Sequence, residues 1–544
     1  MLPVSAIKAI IAWGRRARPV DAWVVFYLRQ PRHVAIMLGC IAVFALFGFL
    51  VLLAFKFPQD VWRDNAEAYA WGRQFLFGYG RHPPMTGWIA GLWYRVFPAS
   101  DWASYLLSRI ATFVSLASIY LVARRVLDAR RAAIIVFSMM LYPVFVGVKS
   151  DRFNNYQMLL ALSPLTIWLF LIVYNRRTIF CSIALGVLAA AAALTIYSAA
   201  LLLFALALAS ILLPDRRLFF SSGAPYVVAA VFVLLVSPHL LWLVKWDFAP
   251  FHWLGSHVGG ETALSQMLAY LRQNVAMISL PLLVAAIAMF PWRQKPPQIG
   301  SQIGNDGLAV ILVAVVLVVV PLVGAMAIDL RLKPQWGEMQ FFLIPIVILI
   351  LMPRLLVTWL AVSRVALIVT LATGLHLIIA PIYAWENFKR RSDHYSYAPT
   401  SELAHEVTRL WRERFGTPLP IIVGAFEIAA PIVFYSVDHP RMFADSPDLP
   451  RVHASQQPAF SPWIDYPTDL RQNGFVGVCL AGDDDCLAEL VRLRPDAESL
   501  EVTVTRVVFG VRGQSWNLRV RIAAPTAEGS SATAPSLSTA IRRL

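Results

Sequence analysis

Long apolar runs separated by short polar loops dominate the first seven-tenths of the chain. Residues 34–55, 102–123, 132–148, 156–174, 179–195, 197–213, 225–244, 273–290, 308–328, 339–352 and 362–382 read as candidate spans by apolar length, 339–352 being short for one. The stretch 179–213 reads equally as one kinked helix. Near Tyr383 the pattern changes. Leu403, Val407, Leu410 and Trp411 recur at helical spacing across 400–415. Residues 420–424 and 475–479 read as buried strands, and 501–508 and 515–522 alternate as half-buried strands do. The predicted fold is therefore an α-helical polytopic membrane protein of about eleven spans with a small C-terminal α/β domain. Its parts are a membrane domain at 1–383 with a long first exported loop at 56–101, a domain at 384–524, and a Ser/Ala/Thr-rich tail at 525–544 expected to be disordered.

Composition agrees: 544 residues are 58% hydrophobic and only 15% charged, with mean hydropathy +0.62. The net charge of +15 would suggest a nucleic-acid partner if it lay on one soluble face. It lies instead in alternate short loops: Arg15, Arg16, Arg29 and Arg32; Arg124, Arg125, Arg130 and Arg131; Arg176 and Arg177; Arg216 and Arg217; Arg293 and Lys295; Arg354 and Arg364. That is the positive-inside bias, and it excludes nucleic acid in favour of the lipid bilayer as partner. It predicts a cytoplasmic N-terminus and an exported C-terminal domain, most simply across a bacterial inner membrane into the periplasm. The N-terminal basic cluster and first span lack a short apolar core with a small-residue cleavage site, and read as an uncleaved anchor. Of four cysteines, Cys40 and Cys181 lie in apolar spans. Cys479 and Cys486 flank an acidic turn and, if exported, are expected to pair, in preference to a metal site that would need a second Cys or His pair.

The exported loops carry the candidate chemistry. The first holds Trp62, Trp71, Trp88 and Trp93, and is expected to lie on the bilayer as one or two amphipathic helices. On such a helix Asp64 and Glu67 share a face, suited to general-base work on a hydroxyl. Asp64 equally fits a helix N-cap with Glu67 closing a capping box. Arg81 and His82 precede two prolines, which stiffen the segment as an extended stretch facing Asp64 or simply stop a loop. Lys149 and Arg152 in the short second loop could bind a phosphate diester or mark the interface. His239, near the end of a span, is costly enough to suggest a role, and Arg331, Lys333 and Glu338 populate the fourth loop. Cations from at least three loops above one bundle suit a phosphate-bearing lipid.

At these residues a resemblance emerges. The run from Asp64 through Tyr79-Gly80-Arg81-His82-Pro83-Pro84 to Trp88 resembles the first exported loop of glycosyltransferase family 39-like proteins. These are GT-C enzymes related to protein mannosyltransferases and to the bacterial aminoarabinose transferase. Arg152-Phe153-Asn154-Asn155, Pro238-His239-Leu240-Leu241-Trp242 and Ser461-Pro462-Trp463-Ile464 resemble further motifs in the same order. The resemblance implies an inverting transferase that moves a sugar from a polyprenyl-phosphate donor to a hydroxyl of an envelope glycan or glycolipid acceptor. It implies Asp64 as catalytic base with Glu67 beside it. Arg81, His82, Lys149, Arg152, Asn155, Arg331 and Lys333 would meet donor phosphate or sugar, and His239 would be a ligand if a divalent metal ion takes part. Two departures stand out. Ile196 replaces a lysine expected near the donor phosphate, and Arg81 replaces a carboxylate before the proline pair. The alternative reading is a glycolipid flippase, a class that places its polar groups at the membrane midplane and often shows inverted repeats.

Overall fold

The structure is a computed structural model and describes residues 32–147, 149–255, 263–293, 303–328, 332–444 and 460–526. The chain forms two compact units, Met1–Phe44 and Ala45–Leu544. The first contributes the opening turns of helix α1 (Arg32–Lys56); the loops and the sheet domain lie in the second.

Every predicted span falls on a helix. After α1 come α2 (Arg63–Gln74) and α3 (Met85–Val96) in the first loop, then α4 (Asp101–Val126), α5 (Ala129–Met139), α6 (Asn155–Arg176), α7 (Ile179–Ala193) and α8 (Ala199–Leu212). The bundle continues through α9 (Ala224–Lys245), α10 (Ala263–Ala288), α11 (Asn305–Ile328), α12 (Ile344–Leu351) and α13 (Trp359–Lys389). Among the described residues seven helices are long and apolar enough to cross a membrane: α1, α4, α6, α9, α10, α11 and α13. The other four predicted spans are shorter. At about 1.5 Å per residue, the 11-residue α5 and the 14-residue α8 rise less than a bilayer core of about 30 Å. The chain beyond α5 is a series of turns rather than helix. The stretch 179–213 is two helices, and the carbonyl of Leu194 at their break accepts from Met85 N–H at 2.8 Å, satisfying the start of α3.

The first loop holds two helices as predicted, but α2 does not lie on the bilayer. Residues Asn65 through Gly72 are all buried, packed between the bundle and the C-terminal domain. Alanine at three of its first eight positions, with no β-branched residue, favours helix there. Phe75, left-handed at φ 52°, ends it with its N–H on Trp71 O. α3 keeps a lipid-compatible face, with Leu92 and Val96 exposed. The two helices touch backbone to backbone: a Cβ on Gly72 would meet Gly91 N at 2.4 Å and Gly87 O at 2.8 Å.

The C-terminal domain begins with α14 (Thr400–Phe415) and builds a five-stranded sheet from β1 (Ile421–Gly424), β2 (Arg441–Ala444), β3 (Phe475–Leu480), β4 (Glu498–Val508) and β5 (Val511–Ala523), in the order β2-β1-β3-β5-β4. β1 is parallel to β2 and β3; β5 is antiparallel to β3 and β4. Helix α15 (Phe426–Tyr435) follows β1, and its apolar face joins α14, the sheet and α2 in one buried cluster. The predicted helix and four predicted strands are all present. β2, four residues long, is the strand the pattern did not disclose. Cys479 and Cys486 are joined in a disulfide at the start of the last helix, α16 (Asp484–Leu493), where Asp483 caps by accepting from Cys486 N–H.

Candidate functional site

A cavity of about 270 Å³ opens where the first loop, the second loop, the segment after α11 and the C-terminal domain meet. It is lined by Asp64, Glu67, Arg81, His82, Lys149, Arg152, Asn155 and Lys333, eight residues singled out in the sequence, and by Phe426 of α15. Arg331 lies outside the described residues.

Asp64 sits in the first turn of α2, not at its cap. The N-cap is Trp62, which makes no side-chain capping bond, so the capping-box reading is not realised. The Asp64 carboxylate is therefore available to the cavity. Its Oδ2 accepts from Asn154 Nδ2 at 2.9 Å, and Arg63 Nε stands 4.0 Å from Oδ1. Asn154 in turn caps α6, accepting from Gln157 N–H. The side chain of Asp64 is 27% exposed, which suits a base that must meet a substrate hydroxyl.

Glu67 is differently placed. Arg81 Nη2 lies 3.0 Å from both of its oxygens. Burial, aided by the nearby Asp64 charge and opposed by Arg81, pushes its pKa up to about 7. Arg81 also lies over the Phe426 ring at 5.1 Å. The extended stretch expected at Arg81-His82 is instead a tight turn, closed by reciprocal backbone bonds between Tyr79 and His82. It points Arg81 at Glu67 rather than at Asp64. Burial and the charges of Arg81 and Lys333 hold His82 well below the usual histidine range, so its imidazole is neutral. Its buried Nδ1 has no hydrogen-bond partner among the described residues.

Of the second-loop cations, Lys149 is ion-paired with Glu338. Arg152 stacks over Trp62 at 4.1 Å, and its Nε is buried without a hydrogen-bond partner among the described residues. Asp151 is buried against Lys56 Nζ at 2.6 Å and does not line this cavity. The cavity therefore carries five basic residues against the carboxylates of Asp64, Glu67 and Glu338. It is built to hold an anion.

His239 is outside this cavity. Its Nδ1 is 2.7 Å from Phe77 O and its Nε2 is 3.2 Å from the Tyr197 hydroxyl, so both ring nitrogens are already engaged. With Trp242, whose ring leaves no room for a Cβ at Gly78, it fastens α9 to the first loop. The structure thus places His239 against Phe77 and Tyr197, apart from the carboxylates of the cavity. Among the described residues no three His, Cys, Asp or Glu side chains come together. Both oxygens of Glu67 lie 3.0 Å from Arg81 Nη2.

Sequence reasoning missed the residues that hold the site together. Asn65 donates to Ser104 Oγ and Asp151 O and accepts from Phe153 N–H, tying α2 to the second loop. Arg109, buried in α4, donates to the carbonyls of Phe145 and Ser150 and so fixes the segment that carries Lys149 and Arg152. A charged residue inside an apolar span was the available signal for Arg109; nothing in the pattern marked Asn65. The Ser461–Ile464 motif braces the far wall: Trp463 Nε1 donates to Met442 O at 2.6 Å, and its ring faces Tyr79.

A helical membrane bundle, a long first loop folded over a charged cavity, and a sheet domain after the last span together define a polytopic helical membrane protein. A family profile described as dolichyl-phosphate-mannose-protein mannosyltransferase matches residues 81–242. The crystal structure of ArnT from Cupriavidus metallidurans in the apo state is similar over 95% of this chain and 100% of that chain, at 16% identity and a TM-score of 0.56. The archaeal oligosaccharyltransferase AglB from Archaeoglobus fulgidus, solved with an inhibitory peptide and a dolichol-phosphate, is similar over 90% of this chain and 74% of that one, at 12% identity and a TM-score of 0.40. No curated protein matches the chain by sequence. The resemblance read from the motifs is thus borne out in the fold and in the family match, which begins at Arg81 in the second half of the first loop and does not reach Asp64 or Glu67.

Proposed function

We propose that this chain is an inverting glycosyltransferase that moves a sugar from a polyprenyl-phosphate donor to a hydroxyl of an envelope glycan or glycolipid on the exported face of a bacterial inner membrane. One observation carries the reading: a single cavity at the loop end of the bundle joins a partly exposed carboxylate, Asp64, to an excess of cations. Asp64 takes the proton from the acceptor hydroxyl as its oxygen forms the bond to the anomeric carbon. The bond from that carbon to the phosphate oxygen breaks, and polyprenyl phosphate leaves with the electron pair. One displacement inverts the centre. Arg152, whose buried Nε has no hydrogen-bond partner among the described residues, stabilises the departing phosphate together with Lys333. Neutral His82 and Asn155, whose buried Oδ1 has no partner among the described residues, are placed to bind sugar hydroxyls. The match to a family described by a dolichyl-phosphate-sugar donor supports this donor class.

The test is transfer from a panel of radiolabelled polyprenyl-phosphate sugars to an envelope extract by purified wild type and Asp64→Asn. Wild-type transfer reduced by roughly 10²–10⁴-fold in a folded mutant supports the base assignment. Equal transfer by both removes Asp64 from that role. Absence of transfer with every donor, alongside protein-dependent movement of a glycolipid across liposomes, replaces the transferase with a flippase.

A further inference from the structure

The β4–β5 hairpin ends in a two-residue turn, Phe509-Gly510, between the paired residues Val508 and Val511. Both turn residues are left-handed, with φ of 49° at Phe509 and 77° at Gly510. That geometry favours Asn, Asp or Gly at the first position, and a phenylalanine there is strained. Burial within the protein does not account for it, because Phe509 is 85% exposed, the most exposed large apolar side chain among those described. The neighbouring Val507 is 50% exposed. A strained, exposed aromatic at a hairpin tip calls for a contact outside the protein.

Its surroundings identify the contact. The Phe509 ring lies 5.9 Å from Phe57, one residue beyond α1, and 6.2 Å from Trp385 near the end of α13. Phe57 and Trp385 are 5.6 Å apart. Two apolar helices thus end in aromatic rings at one level, as membrane spans do at the lipid–water interface. The hairpin is held at that level, because Gly513 lies directly on the Phe388 ring, where a Cβ would come within 2.3 Å of Cε2. Ile382 and Tyr383, on the preceding turn of α13, face outward. Arg512, beside the turn, and Arg390, just after α13, are exposed and offer cations to lipid phosphates.

We propose that the tip of this hairpin is a membrane anchor. Phe509 and Val507 enter the head-group region of the leaflet on the first-loop side, beside Phe57 and Trp385. The sheet domain is then seated on the bilayer as well as on the bundle, although its own strands are those of a water-facing fold. The occupant is lipid, because the patch continues the aromatic boundary of two spans.

The test uses the full chain in liposomes, with Cys40→Ser and Cys181→Ser removing the free thiols and the Cys479–Cys486 disulfide kept. Phe509→Cys carries an environment-sensitive fluorophore. The expected result is blue-shifted emission, quenched by a nitroxide on the lipid acyl chain near the head group and protected from aqueous iodide. Emission as in water with full iodide quenching overturns the proposal. Protection from both quenchers overturns it too, and assigns the tip to a protein partner instead. The same label at Val507→Cys gives an independent reading should the first substitution disturb the turn.

Discussion

At the scale of single residues, the site divides its carboxylates by environment. Asp64 is partly exposed and hydrogen-bonded, whereas Glu67 is buried and leans on Arg81. Burial raises Glu67 from 4.5 to about 7, so its ionisation falls in the working range of pH. The sign follows directly. The folded state holds this proton more tightly than the unfolded chain, so the contribution to stability is complete below 4.5 and is lost as pH rises through about 7. In the same interval the cavity loses one unit of net positive charge. Donor KM is therefore expected to rise about three- to tenfold between roughly pH 6 and 8, and Glu67→Gln should flatten that rise. A wild-type KM independent of pH would deny Glu67 the role. Arg152→Ala should raise donor KM about ten- to a hundredfold, since a hydrogen-bonded charge on phosphate is lost. Arg152→Lys should recover only part, because an ammonium lacks both the planar fork and the stacking on Trp62; full recovery would leave Arg152 as a mere point charge.

At the scale of elements, positions were far more legible than partners. Apolar length located the helices of the bundle, and apolar runs or alternation located four of five strands, whereas α15 and α16 went unread. β2 escaped because its four residues, unlike those of β1, include no β-branched side chain and do not alternate. Pairings such as Lys149 with Glu338 or Lys56 with Asp151 join residues 189 and 95 positions apart, and no local pattern encodes them. The capping box at Asp64 misled for a related reason: tertiary burial of Asn65 fixes where α2 begins. The glycines offer a test of how the first loop is set. Gly91→Ala drives a methyl into the Gly72 backbone, 2.5 Å from its carbonyl oxygen, so α2 and α3 must separate. A stability loss of about 1–3 kcal/mol is expected, with a fall in kcat as Asp64 moves. Gly48→Ala meets the flexible end of Arg109 at 2.9 Å and should cost less than Gly91→Ala in both thermal unfolding and transfer assays. The reverse order would mean that the Arg109 clamp, not the helix crossing, governs the site.

At the scale of the whole molecule, the question is what keeps the sheet domain over the cavity that its Phe426 helps to wall. An apolar cluster runs continuously from the sheet through α14 and α15 into α2. Within it lies a buried polar tie. Asp60, at the entry to the first loop, accepts from Arg506 of β4 at 2.6 Å, from Thr400 Oγ1 at 2.7 Å and from Ser401 N–H at 2.8 Å. Tyr435 of α15 adds a bridge, donating to Asp101 while accepting from Val61 N–H. Arg506→Met leaves the Asp60 carboxylate buried without its cation and should cost about 3–5 kcal/mol. Asp60→Leu combined with Arg506→Met removes both charges and should recover part of that loss, though Thr400 and Ser401 then lack their acceptor. Thermal unfolding in detergent measures the two variants, and transfer at a temperature where each is folded separates docking from stability. If Arg506→Met unfolds with wild type yet transfers normally, the apolar cluster alone seats the domain. If it stays folded and kcat falls while donor KM holds, the tie positions the cavity wall against the acceptor.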